Sequence, residues 1–80
     1  MAKINLLSAR QVDTLATGFH ADGANLYLRV REGGSRAWVF RYKVAGKVIE
    51  YGLGATTERS LKQARELAGK LRTAIADGID

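Results

Sequence analysis

The sequence of 80 residues contains no cysteine and no proline, and its one histidine is His20. Without cysteine the chain forms neither disulfides nor thiolate metal sites, and a single histidine does not make the usual zinc site. No apolar run approaches the roughly 18 residues that predict a membrane span, and the N-terminus lacks the profile of a signal peptide. We therefore expect no metal ion, no cofactor and no contact with a membrane.

The residues that are present are those of a small folded domain with an excess of positive charge. The hydrophobic fraction of 46% is too high for a disordered tail, and 80 residues provide for one domain only. The sequence has thirteen Lys and Arg residues and eight Asp and Glu residues, which gives a net charge of +5. A surplus of this size favours an anionic partner, although charge alone does not say which one.

The first third of the chain predicts a short helix followed by a turn region. Ser8-Ala9-Arg10-Gln11 has the spacing of a capping box, in which the Ser8 hydroxyl and the Gln11 side chain each bind a backbone N–H. Val12 and Leu15 then support a helix of about two turns. Residues 17–25 contain two glycines, an aspartate and an asparagine, and we predict turns there.

Apolar and polar residues alternate with a period of two through residues 26–53, which predicts β-strands. Three strands are expected, at residues 26–31, 38–44 and 47–53. Gly33-Gly34-Ser35 and Ala45-Gly46 provide the two hairpin turns. The alternation gives the predicted sheet one apolar face, made of Leu26, Leu28, Val30, Trp38, Phe40, Tyr42, Val44, Ile49, Tyr51 and Leu53.

A second capping box, Ser60-Leu61-Lys62-Gln63, begins a helix whose apolar residues recur at helical spacing as far as about Ala76. Gly78 is expected to end this helix in the left-handed conformation, with Ile79 folding back on the last turn. Gly69, inside the helix, is expected to mark a close packing contact. The predicted fold class is α+β: a three-stranded antiparallel β-sheet (a meander) packed on a C-terminal α-helix, with a short N-terminal helix.

Most of the excess positive charge lies in the predicted sheet. Residues 26–51 carry six basic and two acidic side chains, which accounts for +4 of the net +5. By strand alternation, the side chains on the face away from the helix are Tyr27, Arg29, Arg31, Val39, Arg41 and Lys43. Arg36 and Lys47 lie at hairpin ends, where they suit phosphates better than base edges.

This basic face favours duplex DNA as the partner. The planar arginine side chain binds phosphate oxygens and can pair with guanine O6 and N7 together. A narrow, twisted sheet fits the major groove of DNA, which is about 12 Å wide. The deep, narrow major groove of RNA does not admit such an element. A face made basic only for solubility is the alternative, but solubility is served by mixed signs of charge.

Other interpretations of single residues are weaker. Trp38, Phe40 and Tyr42 would stack the bases of a single strand if they were exposed, but they share the face that the helix must cover. Gly52-Leu53-Gly54 lacks the third glycine and the helix of a dinucleotide-binding loop. His20 fits a loop better than a catalytic base, and no tyrosine has a histidine or general acid beside it in sequence. The chain is therefore predicted not to be an enzyme.

Several fragments occur in an order and spacing typical of a known family. They are Ala21-Asp22-Gly23, Asn25-Leu26-Tyr27-Leu28-Arg29-Val30, Ser35 with Trp38-Val39-Phe40-Arg41-Tyr42, Gly52-Leu53-Gly54, Ser60-Leu61 with Ala64-Arg65, and Gly78-Ile79-Asp80. Together they cover about residues 8–80. On these fragments the chain resembles the N-terminal arm-type DNA-binding domain of P4-like phage and genomic-island integrases, which are tyrosine recombinases.

The resemblance implies binding to arm-type sites, the repeats that flank the core recombination sites, with the sheet in the major groove of double-stranded DNA. The residues that it implies for DNA contact are Tyr27, Arg29, Arg31, Val39, Arg41 and Lys43, with Arg36 and Lys47 on phosphates. The sequence departs from the usual pattern at Val48-Ile49-Glu50, where many relatives are basic, and at Ala55-Thr56-Thr57, where a Tyr-Pro pair often follows Leu-Gly.

The resemblance also concerns the whole protein. It implies that residues 1–80 are a single domain, ordered from about residue 8 and excised from the N-terminal part of a longer integrase. The catalytic residues of the family belong to a C-terminal domain that nothing here matches. The expected location is the cytoplasm of a bacterial host, in association with its nucleoid.

A function of a different class fits the same features. The chain could be a protein-interaction module that docks an acidic partner or neighbouring integrase subunits, through its positive surface and the edge of the third strand. This hypothesis predicts association without DNA and binding that is insensitive to duplex sequence. Neither hypothesis involves a small-molecule substrate.

Overall fold

The computed structural model describes residues 5–78, and it has an α+β fold. A short helix comes first, four antiparallel strands follow in the order β1-β2-β3-β4, and a long helix comes last. The elements are α1 (Ala9–Thr14), β1 (Gly18–Gly23), β2 (Leu26–Val30), β3 (Arg36–Val44), β4 (Lys47–Ala55) and α2 (Leu61–Ala76). The prediction of an antiparallel sheet with a short N-terminal and a C-terminal helix is confirmed.

The prediction of three strands is wrong, because the sheet has a fourth strand, β1, where turns were expected. β1 pairs antiparallel with β2, and a bulge interrupts the pairing between Ala21 and Gly23. The turn itself is confined to Ala24 and Asn25, which both have positive φ (52° and 73°), as a two-residue hairpin of the primed type requires. Glycine and asparagine thus mark the ends of a strand here and not an extended loop.

The hairpin of β3 and β4 projects beyond the rest of the sheet. β2 pairs with β3 only as far as Leu26 opposite Phe40, whereas β3 and β4 stay paired as far as Val44 opposite Lys47. The predicted turn at Ala45 and Gly46 is confirmed, with φ of 50° and 78°. The end of the hairpin is therefore a two-stranded ribbon, and its side chains are exposed.

The core lies between α2 and the apolar face of the sheet, as the sequence predicted. Trp38, Phe40, Leu26 and Leu28 are fully buried there, and α2 contributes Ala64 and Ala68 at 0% exposure. Burying each large side chain stabilises the fold by about 1.5–3 kcal/mol. The Trp38 indole N–H donates to the Arg59 carbonyl oxygen (3.0 Å), so its polar group is also satisfied.

The ends of both helices follow the predicted capping chemistry. Ser8 with Gln11 and Ser60 with Gln63 form complete capping boxes, and Gly78 takes the left-handed conformation (φ 80°) after α2. The expected contact of Ile79 lies outside the described residues. A close packing contact at Gly69 is not found: a Cβ there would meet only the Arg72 guanidinium, at an ordinary 3.6 Å.

A buried ion pair joins β1 to α2. Asp22 is 2% exposed, and its carboxylate accepts from Arg65 Nε and Nη2 (both 2.9 Å) and from the Leu7 backbone N–H (2.9 Å). Arg65 Nη2 also donates to the Leu7 carbonyl oxygen (2.8 Å). The hydrogen bond to Asp22 raises the pKa of Arg65. Arg65 is thus committed to the fold, and it ties the segment before α1 to the sheet as well.

Candidate nucleic-acid interface

The sheet face opposite α2, called the outer face below, is the surface that the predicted DNA-contacting residues were expected to share. α2 lies on the face that carries Trp38 and Phe40 and leaves the other one uncovered. Strand pairing places Tyr27 beside Val39, and Arg41 beside Glu50, on the outer face. The expected separation of an apolar covered face from a charged outer face is therefore found.

At the centre of the outer face, one side chain from each strand meets the others. We call Phe19, Arg29, Arg41 and Glu50 the outer-face cluster. Arg29 Nη2 donates to Glu50 Oε1 (3.0 Å), and Arg41 Nε lies 3.7 Å from Glu50 Oε2. The two guanidinium carbons lie over the Phe19 ring, 5.0 Å and 5.6 Å from its centroid. A carboxylate and an aromatic ring thus hold two arginines in place, by ion pairing and cation–π attraction.

Tyr27 extends this arrangement along the sheet. Its ring stacks on that of Phe19 with centroids 4.5 Å apart and an angle of 13° between the planes. Such a stacked pair contributes about 0.5–1.5 kcal/mol of stability beyond the contribution of the apolar area that it buries. Tyr27 is half-buried, and through Phe19 it adjoins the two arginine side chains.

Val39, also expected among the DNA-contacting residues, is not accessible. It pairs with Tyr27 and so belongs to the outer face, yet it is only 4% exposed and stands apart from the core under α2. The expectation of an exposed Val39 is wrong, because alternation gives the face of a residue but not what its neighbours cover. Long side chains such as arginine shield apolar surface with their methylene stems.

Three further cations of the prediction are exposed and make no ion pair with any residue from 5 to 78. They are Arg31, at the end of β2, and Lys43 and Lys47, on the projecting β3–β4 ribbon. Lys47 is at the tip, as predicted for a hairpin end. These side chains are free to bind an anion without first breaking a contact.

Arg36 differs from the other predicted cations because part of its side chain is engaged within the fold. Its Nη1 donates to the Val12 carbonyl oxygen (2.9 Å), and the residue is half-buried. The guanidinium therefore holds the end of α1 against the start of β3. Its remaining N–H groups are the part available to a phosphate.

The positive charge of the outer face is reduced but not cancelled. Glu50 is the one carboxylate that alternation places on this face within residues 5–78, and it pairs with both Arg29 and Arg41. Arg31 and Lys43 add two unpaired charges to that group. One negative charge thus stands against four positive ones, which preserves an attraction for anions.

The aromatic side chains of β3 and the His20 ring are engaged within the fold. Trp38 and Phe40 are fully buried and Tyr42 is 9% exposed, so they form core and no base-stacking platform. His20 lies in β1 and not in a loop, and its Nε2 donates to the Ala16 carbonyl oxygen (2.7 Å). Tyr51, expected in the core, is 40% exposed and stacks on Tyr42.

Sequence reasoning did not find two members of the cluster. Phe19 fell in the segment assigned to turns, although Phe19 and Ala21 alternate with His20 and Asp22 as strand residues do. Alternation with Ile49 and Tyr51 also puts Glu50 on the outer face, but it does not identify the partners of Glu50. The two-residue turn at Ala45-Gly46 fixes Arg41 opposite Glu50 and was a usable signal.

No group of three or more histidine, aspartate or glutamate side chains among residues 5–78 is arranged to hold a metal ion. Neither helix in the same part of the chain has the length and apolarity needed to cross a membrane.

A basic, uncovered sheet face backed by a helix is the architecture of a small nucleic-acid-binding domain. Residues 7–80 match the family described as Arm DNA-binding domain, and the chain belongs to that family. The resemblance to the arm-type domains of phage integrases is thereby confirmed.

Two relatives are the integrase of Shigella phage Sf6 and the prophage integrase IntS of Escherichia coli. Each is 39% identical to this chain over 59 residues, which is 74% of the chain. The match spans only 15% of the length of either relative.

Proposed function

We propose that this chain binds duplex DNA at arm-type repeats with its outer face, in sequence-preferring fashion, as the N-terminal domain of a phage-type integrase of the tyrosine recombinase class. The longer protein would carry out site-specific recombination, and residues 1–80 would contribute binding and no catalysis. The family match and the two integrase relatives support this proposal. DNA as the partner implies a location with the nucleoid in the bacterial cytoplasm.

The observation that carries the proposal is the surplus of cations on the sheet face that α2 does not cover. Arginine and lysine side chains on this face outnumber its single carboxylate by four to one. Neutralising DNA phosphates releases counterions, which supplies much of the affinity of a basic surface for DNA. The face of α2 that points away from the sheet has no comparable surplus of cations, because Glu66 lies between Lys62 and Lys70 along the helix.

The shape of the β3–β4 ribbon supports binding in the major groove. This groove is about 12 Å wide and admits a two-stranded β-ribbon. With the ribbon in the groove and the outer face turned toward the bases, Arg41 of β3 and Arg29 of the neighbouring β2 would reach base edges, with Tyr27, Arg31 and Lys43 beside them. Lys47 at the tip and the free N–H groups of Arg36 would bind phosphates, and Val39 would support the arginines from below.

The test uses a pool of labelled duplexes that carry a randomised stretch of base pairs, from which the preferred sequence is selected and titrated. Arg41→Ala is expected to weaken binding by about 1–3 kcal/mol and to relax the preference. Lys47→Ala should weaken binding to all sequences alike and lower the salt slope by about one. Lys70→Ala, an exposed lysine on α2, is the matched control and should bind as the wild type does. Wild-type affinity in both sheet variants would refute the proposal.

The protein-interaction hypothesis has one observation in its favour. β4 is an edge strand, and two of its apolar side chains, Val48 (44%) and Tyr51 (40%), are exposed. An edge strand offers backbone groups to an added strand. Sedimentation with and without duplex separates the hypotheses, since association that needs no DNA would favour docking and a monomer that binds DNA would favour the proposal.

A further inference from the structure

Glu50 is anomalous on a surface built to bind an anion. It lies at the centre of the outer face, and its two oxygens face Arg29 (3.0 Å) and Arg41 (3.7 Å) separately. Its side chain is 38% exposed, so burial does not force the pairing. A carboxylate in this place repels phosphate and lowers the affinity for DNA of any sequence. The carboxylate must therefore contribute something other than affinity if it has a role in binding.

We propose that Glu50 is a specificity-determining residue, which reads a G·C base pair together with Arg29 and suppresses binding to phosphates alone. This inference rests on the proposed function. In the major groove a G·C pair presents guanine O6 and N7 as acceptors and the cytosine N4 amino group as a donor. The Arg29–Glu50 pair presents the complement, guanidinium N–H donors beside a carboxylate acceptor.

Arg29 and Glu50 can both bind the base pair while their ion pair stays intact. A guanidinium has five N–H donors, and the hydrogen bond to Glu50 uses only Nη2 of Arg29. Glu50 accepts one hydrogen bond on Oε1, and each carboxylate oxygen has two lone pairs. The cytosine amino group can therefore be accepted while the ion pair is kept.

A phosphate does not match the pair in the same way. It provides acceptors only, so it can bind Arg29 or Arg41 but is repelled by Glu50 between them. Non-specific binding thus has to displace the carboxylate or tolerate it, whereas the G·C edge makes use of it. This difference makes the protein discriminate between a G·C base pair and phosphates alone. Specific interfaces commonly use an unpaired charge in this way to weaken binding of the wrong partner.

Positioning adds to the effect. Phe19 lies beneath both guanidinium groups, and Glu50 pairs with both, by a hydrogen bond to Arg29 and at 3.7 Å from Arg41. Ordering a long side chain at an interface costs about 0.5–1.5 kcal/mol on binding. Arginines that are already held lose less freedom when a correctly placed base edge arrives.

The experiment compares Glu50→Gln with Glu66→Gln, which removes the same charge from an exposed position on α2. Both variants and the wild type are titrated with the duplex selected by the wild type and with random duplex of equal length. Glu50→Gln is expected to bind random duplex two- to fivefold more tightly and to lose at least fivefold in discrimination. Selection with this variant should also lose a G·C preference at one position. Glu66→Gln should keep the wild-type ratio within twofold.

A measurement without DNA checks the positioning directly. The Nε–H signals of Arg29 and Arg41 in NMR spectra should shift and exchange faster with water in Glu50→Gln, but not in Glu66→Gln. Thermal unfolding confirms that both variants are folded.

The outcomes separate this inference from the proposed function. A wild type that prefers no duplex would refute the proposed function, and the inference with it. A wild type with a preference that Glu50→Gln fully retains would overturn the inference alone. Loss of all binding in Glu50→Gln would overturn it too, because the carboxylate would then supply affinity and not selectivity.

Discussion

Replacing Asp22 with asparagine removes the charge that holds β1 against α2. The carboxylate accepts three hydrogen bonds of 2.9 Å, two from Arg65 and one from the Leu7 N–H. Breaking a buried pair by removing one partner costs about 3–5 kcal/mol. Arg65 is 30% exposed, so water partly solvates the guanidinium that is left behind. We therefore expect Asp22→Asn to lower the free energy of unfolding by about 2–3 kcal/mol.

That loss is large for a domain of this size. A chain of 80 residues is stabilised by roughly 4–12 kcal/mol in total. At about 4–8 °C for each kcal/mol, the melting temperature should fall by about 10–20 °C. Urea unfolding followed by the fluorescence of Trp38 measures the effect, since Trp38 is the one tryptophan and is fully buried.

The control is Asp13→Asn, which removes the same charge from an exposed position in α1. It should change stability by less than about 0.5 kcal/mol. Because the pKa of Arg65 is raised in the fold, the stability that its charge contributes is complete at neutral pH and is lost only as the pH rises through the folded pKa. Raising the pH from 7 to 9 should therefore leave the difference between the variants unchanged. Equal stability of Asp22→Asn and Asp13→Asn would show that the buried pair does not hold the fold.

Two substitutions are expected to stabilise the protein, and both are measured by urea unfolding. Gly69→Ala should add about 0.5–1 kcal/mol, because the helix is continuous through Gly69 and a methyl group meets nothing closer than 3.6 Å. A loss of stability would show that this face of α2 is packed. Ala45→Asn should add about 0.5–1 kcal/mol, since Ala45 has a φ of 50° in the β3–β4 turn and asparagine tolerates this conformation better. A neutral result would show that alanine is not strained there.

Local sequence chemistry predicted the helices and three of the four strands, because each of these elements carries its own signal. Capping boxes mark Ser8 and Ser60, and a period of two marks β2 to β4. The alternation in β1 is short, and the glycines and Asp22 that accompany it are typical of turns. Long-range contacts make this segment a strand. They are its pairing with β2 and the contact of Asp22 with a helix that begins 39 residues later.

The candidate site also has a part that the sequence predicted and a part that it did not. Alternation predicted correctly that Arg29 and Arg41 lie on the face away from α2. It did not predict the burial of Val39 or the position of Glu50 between the two arginines, because these depend on where long side chains end. Side chains of β2 and β3 converge over a ring of β1, so the cluster could not be predicted without that strand.

The fold and the site are joined through β1. Phe19, which supports both arginines, and Asp22, which anchors the strand to α2, are three residues apart and point to opposite faces. β1 is an edge strand of the sheet, and edge elements open at lower free energy than the centre of a sheet. Opening of β1 would remove the ring beneath Arg29 and Arg41 while Glu50 stayed in place. We therefore expect the buried pair on one side of the sheet to influence how well the arginines are ordered on the other. Asp22→Asn should for that reason weaken discrimination between duplexes even at temperatures where the domain remains folded.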